Sequence, residues 1–217
     1  MNKRKNKIKL LPLNTLKKTG EVDFAEWNYR PFLGYIQRKR FQLCVQLLND
    51  YRFENLLIVG YGSGVFIPTL AEYSTNIYGI DIHNFADDIK KVLSAYNIQA
   101  NLLSASAHNI PFSDNFFDAI VSISAMEFFN DLENSCLEIK RVIKKAGCLF
   151  VITPGYSKFV DLGLKILTGK SADVDFEDRR QKVIPTLMKH FEVKEKLYFP
   201  KFSFIKLYTA LRFAPLK

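Results

Sequence analysis

The stretch from Asn55 to Asp81 restricts this chain to a small set of folds. It reads Asn55-Leu-Leu-Ile-Val-Gly60-Tyr61-Gly62-Ser63-Gly64 and closes on Asn76-Ile-Tyr-Gly-Ile-Asp81. Leu56 to Val59 is wholly apolar, which suits a parallel strand buried on both faces. Three glycines follow at alternating positions, and a helical pattern begins at Val65. Without a Cβ at those positions the backbone can approach a ligand closely. A second apolar run, Ile77 to Ile80, ends in the carboxylate of Asp81. An acid at the tip of the second strand of an open α/β sheet can accept hydrogen bonds from ribose hydroxyls. Together these features describe a site for a nucleoside-containing cofactor.

The dinucleotide fingerprint G-x-G-x-x-G requires glycine at position 65, which is Val65 here. The spacing is instead G-x-G-x-G, and it resembles motif I of the class I S-adenosylmethionine (SAM)-dependent methyltransferases. Ser106-Ala107-His108-Asn109-Ile110-Pro111-Phe112, followed by Phe117-Asp118, resembles the D-A-x-x-L-P-F…F-D signature of type-11 methyltransferase domains. Glu138 to Gly147 is similar to that family's E-x-x-R-V-L-K-x-G-G stretch. The resemblance runs over residues 54–155 and implies SAM as cofactor. It also implies a doubly wound, mostly parallel α/β sheet of seven strands, with helices on both faces and a C-terminal antiparallel hairpin. By the same resemblance Gly60, Tyr61, Gly62, Ser63 and Gly64 face the methionine–ribose portion, and Asp81 holds the ribose hydroxyls. Ile82 packs on the adenine, Ser106 and Ala107 lie at its edge, and Ser124 is near the methionyl end. Three positions depart from the family pattern. Ile58 replaces an acid, Ser106 replaces an aspartate, and Phe128 stands where a histidine is common.

The rest of the chain is consistent with a single domain over residues 21–217, preceded by a basic tail over 1–20 that is expected to be mobile. Lysine and arginine number 31 against 22 acids, but seven of the 31 precede residue 19, so the remainder is almost balanced. The excess is therefore a tail, read as solvated or, alternatively, as a contact for an anionic membrane surface or polyanion. Cys44, Cys136 and Cys148 are scattered without a C-x-x-C pair, which suits a reduced, cytoplasmic protein, and no metal site is assigned. No apolar run is long enough to span a bilayer.

Periodicity predicts a leading helix over 31–49, a helix over 85–96, and another opened by an Asn130–Glu133 capping box and stopped at Gly147. A helix over 176–190 follows an insertion at 156–176, read as a lid. Strands are expected over 100–103, 117–123, 148–152, 191–199 and 202–213, with Pro200 at the last connection.

Trp27, Tyr29, Arg30, Glu127 and Phe128 are candidates for contact with the methyl acceptor. The aromatic residues there favour a small-molecule or lipid-like acceptor. Glu127 and His108 are the candidates for a proton-accepting group, neither singled out. The departures at Ile58, Ser106 and Phe128 keep open a catalytically silent binding module on the same fold. A nicotinamide oxidoreductase is disfavoured by Val65 and by the lack of a Tyr-x-x-x-Lys pair. A nucleic-acid methyltransferase is disfavoured because no Asn/Asp-Pro-Pro-Tyr/Phe motif follows the fourth strand. Residue patterns leave the oligomeric state open.

Overall fold

A computed structural model describes residues 7–21, 23–49, 51–155, 174–202 and 205–216, without the side chains of 174–178. The strands are β1 (Phe53–Val59), β2 (Ser74–Asp81), β3 (Ala100–Ser104), β4 (Phe117–Ile123), β5 (Ile143–Pro154), β6 (Phe191–Phe199) and β7 (Tyr208–Pro215). They form one seven-stranded sheet in the order β3-β2-β1-β4-β5-β7-β6. β1 to β5 pair in parallel, and β7 runs antiparallel between β5 and β6.

Period-two alternation splits β1 between two cores. Leu56 and Ile58 face α1 (Pro31–Leu48), α2 (Ile67–Leu70) and α3 (Ala86–Ala95), whereas Leu57 and Val59 face α4 (Leu132–Val142) and α5 (Val174–His190). Both sets are buried, which is why the strand carries no polar residue between Leu56 and Val59. Each such side chain contributes about 2 kcal/mol through burial. Among the described residues no helix is long and apolar enough to cross a membrane.

Several boundaries differ from those read in the sequence. The helix after the glycine turn is only Ile67–Leu70, because β2 begins at Ser74. The chain before α1 covers the space this short helix leaves. Leu11, 1% exposed, donates its backbone N–H to Val65 O at 3.1 Å. Lys9 N–H donates to Thr69 Oγ1 at 2.8 Å, and the Thr69 hydroxyl donates back to Lys9 O at 2.6 Å. From residue 7 onward the supposed tail is thus laid across the body of the domain. Two of its cations are matched there, Lys9 by Glu72 and Lys17 by Asp88.

At α4 the cap is Asp131, which accepts from Asn134 N–H at 3.0 Å, in place of the Asn130–Glu133 box. That helix ends at Val142 because Ile143 already pairs with Phe117, so Gly147 lies within β5. The last strand begins at Tyr208, after the Phe199–Pro200 connection. Most of the 156–176 insertion lies outside the described residues.

Candidate active site

A cavity of about 410 Å³ opens at the carboxyl ends of β1, β2 and β4. Strand order reverses there, β2 lying to one side of β1 and β4 to the other, which is where open α/β sheets bind ligands.

One wall is made largely of backbone. Gly60, Gly62 and Gly64 have φ of +79°, +52° and +71°, the left-handed region that L side chains avoid. A Cβ at Gly60 would lie 2.4 Å from Ala125 Cβ, so the turn must pass hard against the end of β4. At Gly62, which borders the cavity, a Cβ would meet nothing within 4 Å. Gly64 does not border the cavity, and a Cβ there would press on Ile89 Cγ2 at 2.8 Å. The third glycine serves the packing of α3, which corrects its assignment to the cofactor.

Asp81 ties this wall together. Its Oδ2 accepts from Gly62 N–H and its Oδ1 from Ile82 N–H, both at 2.8 Å. Each carboxylate oxygen keeps acceptor capacity for a ligand hydroxyl. Phe85 N–H donates to His83 Nδ1 at 3.1 Å, so the ring proton is on Nε2, which donates to Gly62 O at 3.0 Å. His83 is thereby a structural brace for the turn. Tyr61 sets its ring edge-on to His83 with centroids 4.9 Å apart, and burial with the Asp81 charge raises its hydroxyl pKa. Ile82 borders the same cavity and is 80% exposed, an apolar surface with nothing packed on it.

Ser63, Ser124, Ser106 and Ala107 also line the cavity. The Ser63 and Ser124 hydroxyl oxygens are buried without a hydrogen-bond partner among the described residues. Ser124 holds a φ of +51°, a conformation costing a non-glycine residue about 1–2 kcal/mol. Its N–H is pinned to Ile152 O at 2.7 Å. Strain of this kind persists where the surroundings over-determine it, and it concentrates at functional sites.

The loop carrying Ser106 and Ala107 is clamped from α4. Arg141 donates from Nη1 to Phe112 O at 2.8 Å and from Nη2 to Ile110 O at 2.9 Å. Its Nε and Nη2 also hold Glu138 at 2.7 and 2.8 Å, and Glu138 accepts from Ile110 N–H at 2.8 Å. Arg141 holds the Glu138 carboxyl below its usual pKa. The Glu138-x-x-Arg141 pattern therefore fixes this loop.

The opposite wall comes from elements that no motif marked. Asp23 and Phe24 enter from the segment before α1, and Gln37, Arg40 and Phe41 from α1 itself. Asp23 is held by Thr19, whose hydroxyl donates to Oδ2 at 2.8 Å, and by Ala25 N–H, which donates to Oδ1 at 3.2 Å. Phe128 and Phe129 complete this side. Ile58 also faces the cavity, so the position two before the first glycine presents a methyl surface and no charge.

Four sequence candidates fall elsewhere. Trp27 is 7% exposed and stacks on Phe24 at 4.4 Å, Tyr29 donates its hydroxyl to Leu11 O, and Arg30 is exposed. None of the three borders the cavity. Neither does Glu127, which is 2% exposed, behind the loop on which Phe128 faces inward. Burial pushes the Glu127 carboxyl up to about 7 against the opposing pull of Arg180 and Arg40. His108 does line the cavity, with its ring nitrogen 2.9 Å from the Ser106 hydroxyl on the β3 side.

Open donors and acceptors, a flat apolar platform and a carboxylate at the strand tip fit a nucleoside that carries an amino-acid head. The fold, with this strand order, is that of SAM-dependent methyltransferases of known structure. Residues 57–151 match the model of the family described as "Methyltransferase domain". S-adenosyl-L-methionine is the cofactor that goes with this domain.

An uncharacterised protein of Methanocaldococcus jannaschii is 27% identical over 106 residues, which is 46% of this chain and 43% of the relative. The chain thus spans under half the length of that curated relative. A SAM-dependent methyltransferase from Aquifex aeolicus superposes with a TM-score of 0.66 at 15% identity, covering 90% of this chain and all of the other. The N-methyltransferase NodS from Bradyrhizobium japonicum, in complex with S-adenosyl-L-homocysteine, gives a TM-score of 0.64 at 15% identity over 92% of this chain and 95% of its own. At such identity the likeness is one of fold.

Proposed function

We propose that this chain transfers the methyl group of SAM to a small-molecule or lipid-like acceptor by in-line displacement. The observation that carries this reading is the asymmetry of the cavity. One wall offers the hydrogen bonds a nucleoside needs, and the other offers the rings of Phe24, Phe41, Phe128 and Phe129. When bound, SAM supplies an electrophilic methyl on a sulfonium.

The chain's own residues hold and orient. Asp81 accepts from the ribose hydroxyls, Ile82 lies beneath the adenine, and Ser106 and Ala107 border its edge. The Ser63 and Ser124 hydroxyls turn toward the amino-acid head. Asp23 and Arg40 are a carboxylate and a cation on the facing wall, charges that complement the head's ammonium and carboxylate. Asp23 then supplies the negative charge that Ile58 does not. The phenylalanines exclude water and align the acceptor, and alignment of this kind is worth several kcal/mol of barrier.

His83 gives its Nε2 hydrogen to Gly62 O and Glu127 lies outside the cavity, which leaves His108, beside the Ser106 hydroxyl, and Asp23 as the proton-accepting groups that line it. An acceptor whose nucleophile presents its own lone pair or anion needs neither of them. The reading is tested by calorimetric titration with SAM, S-adenosylhomocysteine and NAD. Micromolar binding of the first two, weakened tenfold or more in Asp81→Ala and in Asp23→Asn, is the expected result. Binding of NAD instead would remove the reading.

The methyl surface of Ile58 at the cavity floor favours a second reading, a silent binding module. It predicts cofactor retention with no methyl transfer to any acceptor in a radiolabel screen.

A further inference from the structure

Far from the cofactor wall, large apolar side chains stand in solvent. Phe202, in the turn between β6 and β7, is 94% exposed, Phe32 in the first turn of α1 is 77% exposed, and Tyr35 is 53% exposed. Ile82 is comparably exposed, but it borders the cavity. The ring of Tyr35 lies edge-on to that of Phe199 with centroids 6.5 Å apart, so the start of α1 and the end of β6 form one surface.

Lysines are laid over these rings. Lys39 Nζ is 4.5 Å from the Tyr35 centroid and 5.5 Å from that of Phe199. Lys201 is 5.4 Å from Phe202, and on the other face of β6 Lys206 and Lys196 lie 4.8 and 5.3 Å from Tyr198. Neither 30–40 nor 196–206 contains an acidic residue. Phe32, Tyr35 and Lys39 recur at i, i+3 and i+7, which is one face of α1. Gln37 and Phe41, which border the cavity, lie on the opposite face.

The geometry points to a docking surface for an anionic lipid bilayer, formed by the β6–β7 turn and the first turns of α1. Phenylalanines and tyrosines with lysines beside them suit the bilayer interface, where rings enter the headgroup layer and ammonium groups meet lipid phosphates. Phe202, 94% exposed, offers a ring free to enter a headgroup layer. Lysine ammonium groups lie over a face of Tyr35, Tyr198, Phe199 and Phe202, and single-stranded nucleic acid, which stacks its bases on open rings, is the occupant that the test sets against the bilayer. Of the basic N-terminal residues, Lys9 and Lys17 are paired with acids of the body. Docking by this surface does not depend on which acceptor is methylated, and α1, which bears Phe32 and Tyr35 outward, lines the cavity with Gln37, Arg40 and Phe41.

The test is co-sedimentation of the full chain with phosphatidylcholine vesicles, with and without phosphatidylglycerol. Three variants accompany the wild type: Phe32→Ser/Phe202→Ser, Lys201→Ser/Lys206→Ser, and Lys3→Ser/Arg4→Ser/Lys5→Ser. The wild type is expected to pellet with the anionic vesicles only. Loss of Lys201 and Lys206 lowers the partition about 25-fold, on about fivefold for each cation at a membrane surface. Loss of the two phenylalanines lowers it at least tenfold, and the N-terminal triple variant keeps the wild-type value. Unchanged thermal melting confirms that the patch variants are folded without invoking the cofactor. The proposal is overturned if no pelleting occurs, if the N-terminal triple variant carries the loss, or if the patch variants impair binding of single-stranded RNA and not of vesicles.

Discussion

On the side of β1 and β2 the cavity is made of backbone, and on the side of α1 it is made of side chains. The first wall rests on left-handed glycines, on two N–H groups donated to Asp81, and on a His83 ring that grips Gly62 O. The second rests on Asp23, Gln37, Arg40 and four phenylalanines drawn from three separate segments. A wall of backbone admits few substitutions, because moving one atom moves the chain. A wall of side chains can be repopulated while the fold stays intact.

The sharpest way to break this account is Gly60→Ala. Left-handed strain and the 2.4 Å approach to Ala125 act together, and we expect a loss of about 4 kcal/mol by urea denaturation. Gly62→Ala has the strain without the clash and is expected to cost about 1 kcal/mol while blocking the cofactor. Equal costs at the two positions would mean that the turn is not braced on β4.

Arg141→Leu comes next, at about 3 kcal/mol, because two loop carbonyls and Glu138 lose their donor together. It should also weaken SAM binding in calorimetry, since Ser106 and Ala107 ride on the released loop. A stability loss with unchanged affinity would place the loop outside the cofactor site.

Glu127→Gln separates the walls by pH. With its carboxyl raised from 4.5 to about 7, the folded state holds the proton more tightly than the unfolded chain. Stability therefore falls as pH rises through that window, and the penalty is complete above about pH 7. The glutamine variant should match the wild type at pH 4 and exceed it by about 3 kcal/mol at pH 8 in thermal or urea melts. A wild-type-like pH profile in the variant would show that Glu127 is not the buried group responsible.

The smallest effect is Lys17→Ser. Its pair with Asp88 is nearly half exposed on both sides, so a loss below about 0.5 kcal/mol is expected in urea melts. Leu11→Ala in the same segment should cost several times more, since Leu11 is fully packed.

The cofactor wall was largely legible because its signals are local. An apolar run, three glycines and a strand-tip acid lie within a few turns of chain, and each constrains the backbone at its own position. What was misread there also has local causes. Gly64 answers to α3, and Asp131 outcompeted Asn130 for the cap. The acceptor wall was not legible. Trp27 and Tyr29 are conspicuous in sequence, yet their side chains are consumed by Phe24 and Leu11, while the plainer Asp23 and Arg40 face the cavity.

Local chain chemistry thus determined that this protein is a doubly wound sheet with a SAM-type glycine turn and Asp81 at its second strand tip. Period, glycine conformation and strand burial depend on near neighbours, so composition over short windows suffices. Only the tertiary structure decided that residues 7–20 join the body, that Glu127 is sealed, and that α1 faces the cavity on one side and bears exposed aromatics on the other. Those outcomes depend on which distant surfaces meet, and no spacing along the chain records that.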